Sequence, residues 1–210
     1  LSRVGLGGVS GAGLVASAAR KISRQARVLA SNQQMLRIDR DSRDDIAPAA
    51  ALELMAYVWE QLPQVQVVLL SDYLKGVLTD SLTRELIALC RAAKVPVLVD
   101  PKGKDYGKYQ GATLLTPNRK EAADASGIVI SSGADVSRAG WVLLKNFDLD
   151  ALVLTRSEEG MSLFVAGQDE LQLPTVAREV FDVSGAGDTV RATIGLGLAR
   201  GLELAAVARP

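Results

Sequence analysis

The chain has 210 residues, 48% of them apolar and 23% charged, enough for one α/β domain with a sizeable core. Its 24 basic and 24 acidic residues cancel, so no global field favours nucleic acid or an anionic membrane, and any cation site must be local. The absence of histidine excludes His-based triads and most zinc sites, leaving acid–base work to Asp, Glu, Lys, Tyr or the lone Cys90.

In chain order, LSRVGLGGVSGAGLVASAAR comes first, with an arginine, an apolar stretch and Ala-Ser-Ala. That is the outline of a signal peptide, but the stretch is too rich in glycine for its apolar part. No run of 18 apolar residues occurs, so no transmembrane helix is expected. From residue 48 onward the alternation is regular. Apolar spacing of three and four predicts a helix over 48–62, and VQVVLL (65–70) reads as a buried parallel strand. DSLTRELIALCRAAK (80–94) is helical, capped by Asp80 or Thr79, with Cys90 as a small buried hydrophobe. One unpaired cysteine fits a reducing cytoplasm. Strands follow at 95–100 and 112–117, the second stopped by Pro117, then a short helix at 119–126 closed by Gly127. A helix at 135–147, strands at 151–156 and 161–167, and a helix at 188–201 complete the series. Gly195 and Gly197 suit close packing of that last helix against a neighbour. Strand–helix alternation predicts a parallel sheet with helices on both faces, which binds ligands at the carboxyl ends of its strands. The polar motifs SDYLKG, DPKG, TPNRKE and TRSEEG stand at those ends.

Three of these stretches carry chemistry. In FDVSGAGDTV (181–190), Gly185, Ala186 and Gly187 leave backbone N–H groups free to converge on an anion, and Asp188 follows at a helix start. An acid beside an anion hole can take a hydroxyl proton while the amides hold a transferring phosphoryl group; the plainer alternative is a helix cap after a glycine turn. Asn118 and Glu121 stand three apart at a helix start and offer oxygen ligands that suit Mg²⁺, or make an ordinary first turn. Thr155, Arg156 and Gly160 suit nucleotide phosphate or ribose contact and also suit a hairpin between 151–156 and 161–167.

DVSGAGDT resembles the signature of ribokinase-like sugar kinases, as do Asn118 and Glu121 in TPNRKE and the strand followed by TRSEEG. LASNQQMLRIDRD, LSDYLKGVL, PVLVDPKGKDYGKYQGATLLTPN and LVLTRSEEGMSLF, in that order, are similar to the kinase domain of the bacterial heptose enzymes of lipopolysaccharide synthesis. The likeness runs from about residue 22 to 200. It implies a ribokinase-like α/β fold with a small β lid over 22–45 and a core over 46–210, together one incomplete kinase domain. It also implies ATP-dependent phosphorylation of D-glycero-β-D-manno-heptose 7-phosphate at O1, with Mg²⁺, in the cytoplasm. Asp188 would be the base, and Gly185, Ala186 and Gly187 the anion hole. Asn118 and Glu121 would organise Mg²⁺ partly through water, and Thr155, Arg156 and Gly160 would lie along the nucleotide. Asn32, Gln33, Gln34, Arg37 and Asp39 would belong to the substrate lid, with Arg37 or Lys102 meeting the sugar's own phosphate. For Arg37 and Asp39 a surface strand of alternating charge is the alternative. A homodimer through the lid is the implied assembly, with no nucleic acid or membrane partner.

The family's opening strand and Gly-Gly/Asn substrate motif have no match here, and ELAAVARP follows soon after the last helix. The expectation is a chain truncated at both ends, with an exposed apolar sheet edge and weak or absent activity. Two other readings compete. A fragment could retain only the fold or nucleotide binding. GAGLVA (11–16) matches a dinucleotide fingerprint, but no strand precedes it and position 33, where an acid is needed, is Gln.

Overall fold

The computed structural model describes residues 10–17, 20, 23–30, 33–175 and 186–207. Two sheets form. β1 (Arg24–Ala30) and β2 (Gln33–Arg40) pair antiparallel, with a register shift at Val28/Leu29. Opposed pairs place Ala26 and Val28 with Ile38 and Leu36 on one face, and Gln25 and Arg27 with Asp39 and Arg37 on the other. Val28, Leu36 and Ile38 are exposed, so this apolar face is uncovered among the described residues.

The main sheet has the order β3-β4-β5-β6-β7-β8: β3 (Val68–Ser71), β4 (Val97–Asp100), β5 (Leu114–Leu115), β6 (Ala151–Thr155), β7 (Met161–Val165) and β8 (Leu171–Leu173). β3 to β6 are parallel. β7 and β8 are antiparallel, so the expected parallel sheet is mixed. The reason is length. Only Arg156–Gly160 separate β6 from β7, too few for a parallel crossover, which needs a dozen residues or more. Ser157–Glu159 makes a 3₁₀ turn and Gly160 has φ +88°; a Cβ there would collide with the backbone of Leu173 in β8. β8 itself was not foreseen, because a three-residue strand carries too little periodicity to read.

The helices sit as the patterning requires. α1 (Pro48–Gln61) begins on its proline, and a 3₁₀ turn at Leu62–Gln64 follows it. That turn delays the strand expected at 65–70 until Val68. α2 (Asp80–Ala92) is capped by Thr79, whose side chain accepts from the Leu82 N–H. α3 (Arg119–Ser126) has a reciprocal capping box between Asn118 and Glu121 and closes on Gly127 at φ 70°. α4 (Gly133–Asn146) starts earlier than the apolar pattern suggests, because Ser132 and Asp135 form a second capping box. α5 (Ala186–Ala199) and the short α6 (Leu204–Val207) follow. A Cβ on Gly197 would overlap Val207, so that glycine lets α6 lie on α5. No described helix is long and apolar enough to cross a membrane.

The sheet separates two apolar clusters. On one side Leu70, Val97, Val99, Leu115, Leu152 and Leu154 pack with residues of α1 to α4, including Leu86, Leu143 and Val136. On the other, Leu98, Leu114, Ala151, Val153 and Leu163 meet Ile194 and Val190 of α5. Cys90 is wholly buried, and burial pushes its thiol up to about 11. Among the described residues β3 is the end strand, and Leu69 on it is exposed.

The loop after β4 is fastened by a buried polar network. Asp72 pairs with Lys108 Nζ at 2.6 Å, accepts from Tyr109 Oη at 2.6 Å and from the Leu74 N–H at 2.8 Å. Tyr109 Oη in turn accepts from the Lys102 N–H at 3.2 Å. Burial works against the Asp72 charge, but Lys108, Tyr109 and the Leu74 amide outweigh it and hold its carboxyl below the ordinary value.

Two outcomes test this packing. A side chain at position 140 meets the ring of Phe164, so Gly140→Val is expected to cost about 1–3 kcal/mol in denaturant unfolding. Asp72→Asn leaves Lys108 buried without its carboxylate and is expected to cost about 3–5 kcal/mol at pH 7. A depressed folded-state value means the Asp72 contribution is complete above the unfolded value of 3.8 and disappears as pH falls through the folded one. The stability gap between the two proteins therefore closes below about pH 4, where an unchanged gap would refute the assignment.

Candidate active site

β3 to β6 run in parallel, so their carboxyl ends share one edge of the sheet. Apolar residues fill the strands, and polarity begins where each one stops: Asp72 after β3, Asp100 at the end of β4, Thr116 after β5 and Thr155 at the end of β6. Asn118 makes an isolated bridge to Thr155, whose N–H donates to Pro117 at 3.0 Å. Residues of two separate motifs are thereby brought side by side.

α5 delivers Asp188 to the same edge from the opposite face. Asp188 stands in its first turn and is largely exposed, and Ala186 and Gly187 stand in that turn with it. The first N–H groups of a helix have no intrahelical partner, and the dipole adds partial positive charge there. The expected anion loop is thus, at Ala186 and Gly187, the start of a helix. Gly185 lies outside the described residues.

Arg191, one turn further along α5, is only 5% exposed. Its Nη2 pairs with Asp188 Oδ1, its Nη1 lies 3.0 Å from Asp100 Oδ1, and Nη1 donates to Thr116 Oγ1 at 3.5 Å. Asp100 also lies 3.6 Å from Lys102 Nζ, and Lys102 pairs with Glu121. A continuous chain of charge results: Asp188, Arg191, Asp100, Lys102, Glu121. Burial raises the Asp100 carboxyl above its ordinary value; Lys102 and Arg191 oppose the rise, while Glu121 and Asp188 add like charge. Burial also works against the Lys102 ammonium, but Glu121 and Asp100 outweigh it and raise its value.

Both oxygens of Glu121 are engaged. Oε2 accepts from the Asn118 N–H at 2.9 Å and Oε1 from Lys102. Asn118 Oδ1 accepts from the Glu121 N–H at 2.9 Å. These are oxygen donors of the kind Mg²⁺ takes, already held by the protein, an arrangement that suits contact through water. Among the described residues no group of three or more His, Cys, Asp or Glu is gathered as a metal cluster.

The remaining expected residues divide. Arg156 is mostly buried, paired with Glu159 and donating to Ser162 Oγ at 3.3 Å, while Glu159 also meets Arg119 at 2.8 Å. Gly160 has the structural duty at β8 described above. An open cleft of about 660 Å³ lies beside them, lined by Asn118, Lys120, Gly127, Val129, Ile130 and Ser157. A second, of about 380 Å³, contains Tyr73, Leu74, Lys102, Lys104 and Glu121. Arg37 and Asp39 lie on the exposed β1–β2 hairpin, paired at 3.0 Å, and Asp39 raises the Arg37 value. Gln33 and Gln34 are in β2, and Asn32 lies outside the described residues. Sequence reasoning missed Asp100 and Arg191. Their signals were an acid closing an all-apolar strand and the single basic residue of a mostly apolar helix, three residues after Asp188.

Comparison with known proteins places this geometry. Residues 9–209 match the pfkB family carbohydrate kinases. The bifunctional protein HldE of Geobacter sulfurreducens is 55% identical over 202 residues, covering 96% of this chain and 41% of the relative. HldE of Pelobacter propionicus is 46% identical over 209 residues, covering 100% and 43%. The chain thus spans less than half the length of these curated relatives. Among solved structures, Escherichia coli phosphofructokinase-2 in complex with potassium aligns with a TM-score of 0.72 at 17% identity, over 90% of this chain and 61% of that one. Arabidopsis thaliana ribokinase complexed with ribose and ATP aligns at 0.64 and 19%, over 85% and 56%. Those two likenesses speak for the fold alone. With its mixed sheet, its α5 start and the matched span, the chain belongs to the pfkB family of carbohydrate kinases and has the ribokinase-like fold.

Proposed function

We propose that the chain transfers the γ-phosphoryl group of ATP to O1 of D-glycero-β-D-manno-heptose 7-phosphate, in the cytoplasmic supply of ADP-heptose for lipopolysaccharide core synthesis. The observation that carries the reading is Asp188: an exposed carboxylate in the first turn of α5, tied through Arg191 to the end of β4. The nucleotide-type residues Asn118, Glu121 and Thr155 share that sheet edge. Similarity to the HldE proteins supports the choice of sugar.

In this reading Asp188 accepts the proton of the anomeric hydroxyl. The oxygen attacks the γ-phosphorus, a new P–O bond forms, and the bond to the β,γ-bridging oxygen breaks with its electron pair leaving on ADP. The N–H groups of Ala186 and Gly187 face the charge that develops on the phosphoryl oxygens, and Gly185 would complete the anion hole. Mg²⁺ would be held through water by Asn118 and Glu121 and would offset phosphate charge. Thr155, Arg156 and Gly160 border the nucleotide, with the cleft beside Asn118 as the place for its base. Lys102 bears on the sugar phosphate only by exchanging one of its carboxylate partners. Residues 22–45, carrying Asn32, Gln33, Arg37 and Asp39, form the substrate lid on the core of 46–210, and the uncovered apolar face of β1 and β2 supports pairing between two copies.

ATP consumption with heptose 7-phosphate and Mg²⁺ tests this directly. Asp188→Asn is expected to lower kcat by about 10²–10⁴-fold, the usual worth of a positioned base. Stabilisation of the chain by Mg·ATP in thermal melting should persist in the mutant, because Asp188 acts on the acceptor. An Asn variant that turns over like the parent would remove the base from the mechanism. Stabilisation by Mg·ATP without turnover in either protein would restrict the chain to nucleotide binding.

A further inference from the structure

We propose that Arg191 is a positioning residue for Asp188: its guanidinium, anchored on Asp100 and Thr116, fixes where the Asp188 carboxylate meets the acceptor hydroxyl. The proposal rests on the phosphoryl-transfer reading above.

The observation behind it is an asymmetry. The side chain of Asp188 is 64% exposed, and that of Arg191 is 6% exposed. An ion pair at this spacing on an open helix face holds little, because both partners move and water screens them. Here the cation does not move. A buried guanidinium is unfavourable unless it is paired and hydrogen-bonded, and Arg191 meets that demand by spreading its planar fork over two elements. Nη1 lies 3.0 Å from Asp100 Oδ1 at the end of β4 and donates to Thr116 Oγ1 at 3.5 Å after β5. Nη2 remains for Asp188 Oδ1. The sheet thus sets the guanidinium, and the guanidinium sets one oxygen of the exposed carboxylate. Among the described residues none of these contacts uses Oδ2, which is the atom that would face a hydroxyl.

Asp100 completes the device. It is held between Arg191 and Lys102, so β4, already buried along its whole length, is the fixed point from which the position of Asp188 is measured. A residue needed only to fill space against Leu98 and Leu114 would not require a charge, and Ile194 and Val190 of the same helix do that work without one. Placement matters in this chemistry because an error of about 1 Å in a reacting group costs on the order of 10²-fold in rate.

Steady-state kinetics with heptose 7-phosphate and Mg·ATP on the parent chain, Arg191→Leu, Arg191→Lys and Asp100→Asn, each checked for cooperative melting, test the proposal. Arg191→Leu is expected to lower kcat by about 10²-fold while both KM values stay within about threefold. Arg191→Lys keeps a cation but not the fork, so its kcat should lie between parent and Leu variant. Asp100→Asn, which loosens the anchor without touching Asp188, should lower kcat in the same direction. If Arg191→Leu does not fold, the other two decide. Folded variants with the parent's kcat, or a raised KM with kcat intact, overturn the positioning role. A parent chain without turnover would instead sink the phosphoryl-transfer reading, and the proposal with it.

Discussion

The structure turns on β4 being apolar on both faces up to a single carboxylate. Val97, Leu98 and Val99 are buried between α2 on one side and α5 on the other, and the strand then ends on Asp100. A charge cannot sit earlier without being stranded between two apolar layers. At the strand end it has room for partners, and it takes two: Lys102 from its own loop and Arg191 from the helix across the sheet. Burial of the strand thus dictates where polarity begins, and polarity at that point links both helical layers to one edge.

The two layers contribute different things. α3 brings a self-contained unit, because its capping box holds Asn118 and Glu121 to each other whatever lies around them. α5 brings a carboxylate and helix-terminal amides, which have no fixed place until the helix docks. Ile194, Val190 and Leu198 dock it against Leu98, Leu114 and neighbours, and Arg191 then ties its first turn to the sheet. Apolar packing supplies the approach, and the ion pairs supply the register. The loop after β4 is held separately by Asp72, Lys108 and Tyr109, so Lys102 begins from a backbone pinned by the Tyr109 hydroxyl. The hairpin of β1 and β2 shares none of this density, and Val28, Leu36 and Ile38 on its apolar face are exposed among the described residues.

Much of this was legible in the sequence where the cause is local. The span 119–126 was readable as a helix because its cap, acid and closing glycine are all within the segment, and Thr79 and Pro48 mark helix starts for the same reason. The helix starts at Asn118, with Glu121 three residues on, and around Asp188 were legible because their signals lie within a few residues of each start. The strand ends were less so. The stretch 112–117 has a strand's composition, but the regular ladder covers only Leu114–Leu115; beyond it Thr113 O, Thr116 N–H and Pro117 O still bond singly to Ala151, Val99 and Thr155 of the neighbouring strands, and Pro117 has no N–H to extend the pairing.

By itself, then, the sequence determined most of the helices, the caps at Thr79 and Asn118, the apolar strands, the absence of histidine chemistry and a set of candidate site residues. Each follows from periodicity or from contacts a few residues long. The tertiary structure decided that α1 to α4 lie on one face and α5 on the other, that Lys102 is already paired, and that Arg191 joins Asp188 to Asp100. Those facts depend on which distant segments share a buried space. A guanidinium finds its carboxylates only after packing has removed the water that would otherwise satisfy it.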